Sequence, residues 1–398
     1  MKVCLIHNLY PPFARGGAEK IVASLAQALK KRGDEVIVIT TKPFAKKKPK
    51  ISDYPVYYLS SFYFNLSSWP YWSRFFWHLA DMFDVGGFWR TWRILRRFKP
   101  QVVITNNLAG LGLLTRLAIR FVKAKHIHIL HDIQLLHPSG LLLWGEEKKI
   151  NTACAKIYQV IARRIFSLPD LVVSPSQWLA DLHKEKGFFS ASQIQVVPNP
   201  ITADYQPEQK NLFDNNQQKK LWRWLYVGQI EAHKGVSALI RAFSQLPDKV
   251  KEKSELIVVG SGSEFEKMQR LAKSYGKQAR HIYFLGQKES SQVRKLMQAS
   301  NYLIVPSLCY ENSPTVIYEA LSLGLPVIAF DLGGVGELLR KCVGCVLVQP
   351  ASWRDLSLAM ERVFYQGQRR KEVAGYQKLN LLTADKYLEK LGLIEKRS

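Results

Sequence analysis

Short apolar runs alternate with longer amphipathic stretches along the whole chain. A short apolar run between turn residues is typical of a strand covered on both faces, and a period of about 3.6 residues indicates a helix. Strands are predicted at 2–6, 35–40, 102–105, 127–130, 171–174, 195–197, 222–227, 256–259, 282–285, 302–305 and 327–330. Helical stretches separate them, for example 17–31 and 108–122. This alternation predicts an α/β fold with parallel, doubly wound sheets, in which ligands bind outside the carboxyl ends of the strands.

The stretch 302–330 contains the most informative succession of elements. Pro306 ends the apolar run 302–305, because proline cannot donate a hydrogen bond to a neighbouring strand. Ser313 and Pro314 suit the N-cap and first position of a helix, so a helix is predicted to start at about Pro314. Gly324 and Pro326 then close it before the strand 327–330.

Two carboxylates lie eight positions apart on this frame, Glu311 in the loop and Glu319 on the flank of the buried helix face. Between them the N–H groups of a helix N-terminus form a natural seat for phosphate. A diphosphate with a polyol on either side would therefore meet a carboxylate at each end. The alternative is that both are ordinary solvated glutamates.

A second phosphate-binding layout follows the first predicted strand. Gly16 and Gly17 lie in a loop between that strand and a helix. The loop is not G-x-G-x-x-G, which disfavours a dinucleotide site, and a flexible turn is the alternative. His131 and Asp132 directly follow the strand 127–130, so they are placed at the ligand-binding edge of the same sheet.

Length and charge bound the possibilities further. The chain has 398 residues, enough for two ordinary domains, and the polar stretch 204–220 is predicted to be a linker. The net charge of +25 attracts nucleic acid, anionic membranes and nucleoside diphosphates alike. The five cysteines favour a reducing compartment, with Cys342 and Cys345 structural rather than a metal or redox site. No signal peptide is recognised, so a cytoplasmic protein is expected.

The stretch 57–98 is unusually aromatic, with 16 of the 46 Phe, Trp and Tyr residues of the chain. Five arginines accompany them, namely Arg74, Arg90, Arg93, Arg96 and Arg97, and a lysine cluster lies upstream at Lys46, Lys47, Lys48 and Lys50. An aromatic and basic surface suits the interface of an anionic membrane. A bulky core beneath a helical subdomain is the alternative.

The pattern E-x7-E between P-S and E-A-x3-G-x-P-V-I-A resembles the signature of retaining glycosyltransferases of family 4 or group 1. The resemblance implies a GT-B fold, with two Rossmann-like domains facing across a cleft. The expected divisions are an acceptor-side domain at 1–203, the linker 204–220, a nucleotide-sugar domain at 221–375 and a helix within 376–398 that crosses back to the first domain.

The same resemblance implies roles for individual residues. Glu319 would hold the ribose, Glu311 the hydroxyls of the donor sugar, and His131 would lie near the reacting carbon. The implied catalytic residues are His131 and Glu311, and the implied donor-binding residues are Arg15, Gly16, Gly17, Gln229, Lys234, Asn312, Ser313, Pro314, Thr315 and Glu319. Gln229 departs from the family pattern, which usually has arginine there.

The expected reaction is retaining transfer of a hexosyl group from a nucleoside-diphosphate sugar to an acceptor hydroxyl. The expected acceptor is a lipid-linked saccharide or glycan of the cell envelope, reached from the cytoplasmic face of the membrane. No cofactor or metal is expected, since no Asp-x-Asp motif is found. The alternatives are a nucleotide-sugar epimerase or hydrolase on the same fold, and a basic nucleic-acid-binding protein. The last has no recognition motif, so no nucleic-acid partner is expected.

Overall fold

The structure is a computed structural model that describes residues 1–14, 16–44, 46, 52–166, 168–201, 221–367 and 381–393. Arg15, most of the lysine cluster and the predicted linker 204–220 lie outside these residues. The chain divides into two compact units. Unit 1 comprises Met1–Leu142, Glu146–Asn199 and Ala384–Ser398, and unit 2 comprises Leu143–Gly145 and Pro200–Thr383.

In the described part of unit 1, seven parallel strands form one sheet in the order β3-β2-β1-β4-β5-β6-β7. The strands are β1 (Lys2–Ile6), β2 (Glu35–Lys42), β3 (Val56–Ser60), β4 (Val102–Thr105), β5 (Lys125–Ile129), β6 (Leu171–Ser174) and β7 (Gln193–Val196). The helices are α1 (Gly17–Lys31), α2 (Tyr71–Met82), α3 (Val85–Phe98), α4 (Thr115–Phe121), α5 (Ala153–Ile165) and α6 (Gln177–Glu185). At the centre, Leu5 pairs with Val38 and Ile104, and all three are fully buried.

In the described part of unit 2, six parallel strands follow the order β10-β9-β8-β11-β12-β13. The strands are β8 (Trp222–Val227), β9 (Ser254–Val259), β10 (Ile282–Gly286), β11 (Tyr302–Val305), β12 (Val327–Phe330) and β13 (Val346–Val348). The helices are α7 (Val236–Ser244), α8 (Asp248–Lys251), α9 (Phe265–Ser274), α10 (Ser290–Gln298), α11 (Thr315–Ser322), α12 (Gly334–Leu339) and α13 (Trp353–Gln366). Alternate strand residues belong to different apolar clusters, Trp224 to one and Leu225 to the other, because successive side chains point to opposite faces.

The last helix, α14 (Ala384–Lys390), belongs to unit 1 and packs against α1. Its Tyr387 and Leu388 are fully buried. Arg32, the residue that ends α1, donates from Nη1 to the backbone oxygen of Leu393 over 2.6 Å. Apolar burial and this hydrogen bond hold the C-terminal segment against α1.

These two doubly wound parallel sheets confirm the predicted fold class. Two strands are present that the pattern did not predict, β3 inside the aromatic-rich stretch and the short β13. The predicted helix over 108–122 is wrong in its first half, since α4 begins only at Thr115. Gly110 and Gly112 have φ values of 85° and 78°, which a right-handed helix excludes.

Candidate functional site

The candidate site of unit 2 lies where the chain reverses the direction in which it adds strands to the sheet. The chain adds β9 and β10 on one side of β8, then returns to add β11, β12 and β13 on the other. Ligands of such sheets bind at this switch point, outside the carboxyl ends of the two central strands. Lys234 follows β8 and Glu311 follows β11, so the topology brings them to the same edge.

Two glycines fix the backbone of the loop that carries Glu311. Gly235 has φ of 70°, and a Cβ on it would lie 1.8 Å from the backbone oxygen of Pro306. A Cβ on Gly333 would lie 2.5 Å from the backbone oxygen of Glu311, and Gly334 N–H donates to that oxygen over 2.8 Å. Only glycine permits both approaches, which is the reason for these residues in the sequence.

The carboxylate of Glu311 is held through one oxygen. Its Oε1 lies 2.5 Å from Lys234 Nζ and accepts a hydrogen bond from Ser307 Oγ over 2.9 Å. The thiol of Cys309 lies 3.7 Å from the same oxygen. Both charged side chains are largely sheltered from bulk water, with 22% of Lys234 and 18% of Glu311 accessible.

This contact keeps both groups ionised. Burial alone would lower the pKa of Lys234, but the charge of Glu311 outweighs it and raises the pKa above its usual value. Burial alone would raise the pKa of Glu311, but the charge of Lys234 and hydrogen bonds from Lys234 and Ser307 lower it. A cation and a carboxylate therefore meet at the switch point at neutral pH.

Glu319 and the start of α11 complete this site. Pro314 is the N-cap of α11, and Ser313 Oγ is hydrogen-bonded to Tyr318 Oη over 2.6 Å. The predicted N-cap role of Ser313 is therefore wrong by one residue, because its hydroxyl is engaged by the tyrosine. Glu319 is only 3% exposed on the inner side of α11. Asn312 and Thr315 stand at the helix N-terminus, where backbone N–H groups favour an anion.

Gln229 lies on the neighbouring loop, directly after β8. Its backbone oxygen accepts a hydrogen bond from Tyr226 Oη over 2.6 Å, which fixes the loop while the side chain stays half-buried. Gly260 packs so closely on Gly228 that a Cβ would lie 1.8 Å from the oxygen of Gly228. The predicted residues of this half of the chain thus come together on the loops after β8 and β11 and on α11.

The site of unit 1 lies at the equivalent switch point, between β1 and β4. His131 follows β5, and its Nε2 is hydrogen-bonded to Asn106 Oδ1 over 2.8 Å. The ring of His7 lies 5.9 Å from the ring of His131. Burial lowers the pKa of His131 to about 4, so the imidazole is neutral at neutral pH.

Asp132 is held beside this histidine. Its carboxylate accepts hydrogen bonds from Asn107 Nδ2 over 2.6 Å and from Gln134 N–H over 2.7 Å. Burial raises the pKa of Asp132 to about 6 in spite of these bonds. Gly16 and Gly17 lie where predicted, at the start of α1, and Gly16 N–H donates to Glu19 Oε2 over 2.9 Å.

Sequence reasoning missed Asn106, Asn107 and Ser307. The first two directly follow a predicted strand, and the rule that ligands bind beyond strand ends would have selected them. Ser307 follows the proline that ends β11, but nothing in the sequence shows that its hydroxyl reaches Glu311. Within the described residues, no three or more His, Cys, Asp or Glu side chains are grouped to hold a metal ion.

The aromatic-rich stretch forms β3, a short 3-10 helix and the helices α2 and α3. Helix α3 buries Gly87, Thr91 and Leu95 along one face. Its other face exposes Trp89 to 48% and carries the four arginines of this helix, Arg90, Arg93, Arg96 and Arg97, which are all exposed. Among the described helices, none has the length and apolar character needed to cross a membrane.

Two family models together match most of the chain. The family described as Glycosyltransferase Family 4 matches residues 15–205, and the family described as Glycosyl transferases group 1 matches residues 207–379. One relative is the lipopolysaccharide 1,2-N-acetylglucosaminetransferase of Salmonella typhimurium. It is 28% identical over 200 residues, which span 46% of this chain and 51% of that protein.

Solved structures resemble the whole chain. The sucrose-phosphate synthase from Thermosynechococcus elongatus has a TM-score of 0.75 at 20% identity, over 98% of this chain and 97% of that one. The HepE protein of Anabaena, solved in complex with UDP-glucose, has a TM-score of 0.71 at 18% identity, over 99% and 100%. These likenesses confirm the GT-B fold. The two family matches, over residues 15–205 and 207–379, show that the chain belongs to the family 4-like, group 1 glycosyltransferases.

Proposed function

We propose that the protein transfers a hexosyl group from a nucleoside-diphosphate sugar to an acceptor hydroxyl with retention of the anomeric configuration. The observation that carries this proposal is the contact of Lys234 with Glu311 at the switch point of unit 2, next to the N-terminus of α11 and the buried Glu319. The complex of the structurally similar HepE protein with UDP-glucose supports a donor of this class.

The cation of this pair has a direct role in bond cleavage. When a nucleoside diphosphate binds, its phosphate oxygens compete with Glu311 Oε1 for the Lys234 ammonium. As the anomeric C–O bond breaks, negative charge grows on the departing diphosphate, and Lys234 with the N–H groups around Thr315 stabilises it. Because the protein supplies these groups, we expect transfer without a metal ion or other cofactor.

The carboxylates and the histidine then have separate roles. Glu311 is held through Oε1 by Ser307 and Lys234, which orients its second oxygen for the hydroxyls of the donor sugar. Glu319, in the second turn of α11, would accept hydrogen bonds from the ribose. The neutral imidazole of His131 is suited to hydrogen bonding near the reacting carbon, where a second positive charge would repel an oxocarbenium-like centre.

The acceptor is a lipid-linked saccharide of cell-envelope glycan synthesis, reached from the cytoplasmic face of the membrane. Two observations support this part: the exposed aromatic and basic face of α3, and the similarity to the lipopolysaccharide 1,2-N-acetylglucosaminetransferase of Salmonella typhimurium. Aromatic rings and arginines together favour peripheral attachment to an anionic membrane.

The test is a donor screen followed by kinetics of two variants. Nucleoside-diphosphate hexoses are first ranked by thermal shift, and transfer to octyl hexosides is then followed by mass spectrometry. Glu311→Gln should mainly lower kcat, by roughly 100-fold, whereas Glu319→Ala should mainly weaken nucleotide binding. Glu266→Gln, at an 84% exposed carboxylate in the same unit, is the matched control. Wild-type kinetics in both site variants would contradict the proposal, and free or epimerised sugar without acceptor product would indicate a hydrolase or epimerase.

A further inference from the structure

The exposed residue Trp144 is hydrogen-bonded through its backbone to the loop that carries Glu311. Leu143 forms an antiparallel bridge with Cys309, and Trp144 N–H donates to the backbone oxygen of Leu308 over 2.9 Å. The short segment Leu143–Gly145 accordingly belongs to unit 2, although its neighbours in sequence belong to unit 1. These two backbone contacts therefore fix the position of the Trp144 backbone beside the loop that carries Glu311.

The Trp144 ring is paired with a second aromatic ring on the site loop. Its centroid lies 6.4 Å from that of Tyr310, with the planes tilted by 38°, and Tyr310 directly precedes Glu311. Trp144 is nevertheless 46% exposed. Leaving so large an apolar side chain half open to water forgoes the gain from burying it, which a ligand that packs on the ring would recover.

Anionic lipid is a poor occupant for these two rings. Trp144 is followed by Glu146, Glu147, Lys148 and Lys149, and Lys149 is paired with Glu146 over 2.5 Å, so this segment has no net charge to attract an anionic surface. The arginine-rich face of α3 is the opposite case, with aromatic rings among cations. A neutral ligand with an apolar face and several hydroxyls suits Trp144 and Tyr310 better, because carboxylates readily accept hydrogen bonds from hydroxyls.

We infer that Trp144 and Tyr310 form a stacking platform for a pyranose ring of the acceptor saccharide. A pyranose presents a face of C–H groups that packs on aromatic rings, and its hydroxyl groups project outward from the edge of the sugar ring. The inference rests on the proposed function, which assigns Glu311 to the donor sugar. In the proposed function, residues 312–319 hold the nucleotide and Glu311 the donor sugar, and Tyr310 directly precedes Glu311, so a sugar packed on its ring would lie next to the donor-sugar residue.

The inference is tested by separating the KM values of the two substrates. The acceptor is the octyl hexoside that the wild-type protein glycosylates, and the donor is the sugar nucleotide found in the screen. Trp144→Ala should raise the acceptor KM about tenfold and leave the donor KM unchanged, since loss of a stacked ring costs on the order of 1.4 kcal/mol. Trp144→Phe should restore the acceptor KM to within about threefold, because it retains an aromatic face.

Two further variants distinguish loss of sugar stacking from a general structural effect of the substitution. Trp144→Leu keeps an apolar side chain and the backbone contacts but has no flat ring, so it should resemble Trp144→Ala. Tyr365→Ala removes an aromatic side chain that is 59% exposed on α13 and should match the wild type. An unchanged acceptor KM in the alanine and leucine variants overturns the platform, and so does a rise in the donor KM instead. Absence of any transfer by the wild type would instead refute the proposed function.

Discussion

In both units the chain reverses the direction in which it adds strands, between β1 and β4 in unit 1 and between β8 and β11 in unit 2. The groups placed at the two reversals differ in charge. In unit 2, Lys234 and Glu311 keep each other ionised. In unit 1, burial lowers the pKa of His131 to about 4 and raises that of Asp132 to about 6, so both groups are driven towards their neutral forms.

The two sites differ in ionisation because their groups have different hydrogen-bond and ionic partners, since both sites are largely sheltered from water. Burial opposes charge in each case, and at Glu311 the charge of Lys234, together with hydrogen bonds from Lys234 and Ser307, overcomes it. Glu311 has this cationic partner at 2.5 Å, whereas Asp132 accepts hydrogen bonds from an amide side chain and a backbone N–H. The same topology therefore carries an ion pair in unit 2 and, in unit 1, a neutral histidine beside a carboxyl group whose pKa is raised.

The largest effect is expected when the ionic site loses its cation. Lys234→Met should lower kcat about 10³-fold, because it removes stabilisation of the leaving diphosphate and leaves the sheltered Glu311 carboxylate without its countercharge. Steady-state kinetics at saturating donor measure the loss. Lys267→Met removes a 65% exposed lysine from the same unit and should be neutral. A loss smaller than tenfold at Lys234 would show that the charge on the diphosphate is stabilised elsewhere.

The next effect concerns the surface of unit 1. Replacing Arg93, Arg96 and Arg97 by Gln should weaken binding to vesicles containing anionic lipid by roughly 100-fold, at about 1 kcal/mol for each arginine near the surface. Liposome co-sedimentation at low and high salt measures it. The matched control removes the same charge from unit 2, at Arg270, Arg280 and Arg340. Equal losses in the two triple variants, or no binding by the wild type, would show that α3 is not a membrane surface.

The histidines of unit 1 predict that this unit loses stability in acid. In the described part of unit 1, burial lowers the pKa values of the buried His7, His126, His128 and His183 and of the half-buried His131. As the pH falls from 6.5 towards 4, the unfolded chain binds protons that the folded chain does not, so stability is lost.

Two carboxyl groups of the same unit act in the opposite direction. Burial raises the pKa of Asp81 to about 7 and that of Asp132 to about 6, so the folded state keeps their protons and gains stability in acid. Five histidines outweigh two carboxyls, and we expect amide protection of β4 and β5 to fall by at least about tenfold from pH 7 to pH 5. Hydrogen exchange with β8 and β11 as the internal reference tests this; equal losses in both units would contradict it.

The sequence was sufficient for features that depend on local pattern. Apolar runs and glycines were enough to predict most strands, the doubly wound class and the helix that begins at about Pro314. The missing half of the helix over 108–122 shows the limit, because the left-handed conformations of Gly110 and Gly112 are set by contacts distant in sequence. For the same reason the hydrogen bond of Ser307 to Glu311 could be seen only in the folded chain.

The contacts that join distant segments were also beyond prediction. The bridge between Leu143 and Cys309 links positions 166 apart, and no periodicity signals it. Strand β3 was hidden because its Val-Tyr-Tyr-Leu-Ser sequence lies in a stretch whose aromatic content suggested a surface or a helical core. Secondary structure follows from nearest neighbours along the chain, whereas side-chain partners are decided by the packing of whole elements.

The smallest effect is expected from strengthening the ionic site. Gln229 follows β8, and its position is fixed by the hydrogen bond from Tyr226 to its backbone oxygen. Gln229→Arg should lower the dissociation constant for a nucleoside diphosphate about threefold, because a planar cation is added next to Lys234. The gain is small because the two cations repel each other before the ligand binds. Isothermal titration calorimetry measures it, with Gln245→Arg adding the same charge at an exposed position of unit 2. An unchanged affinity at Gln229→Arg would place residue 229 away from the diphosphate, and an equal gain in both variants would reduce the effect to net charge.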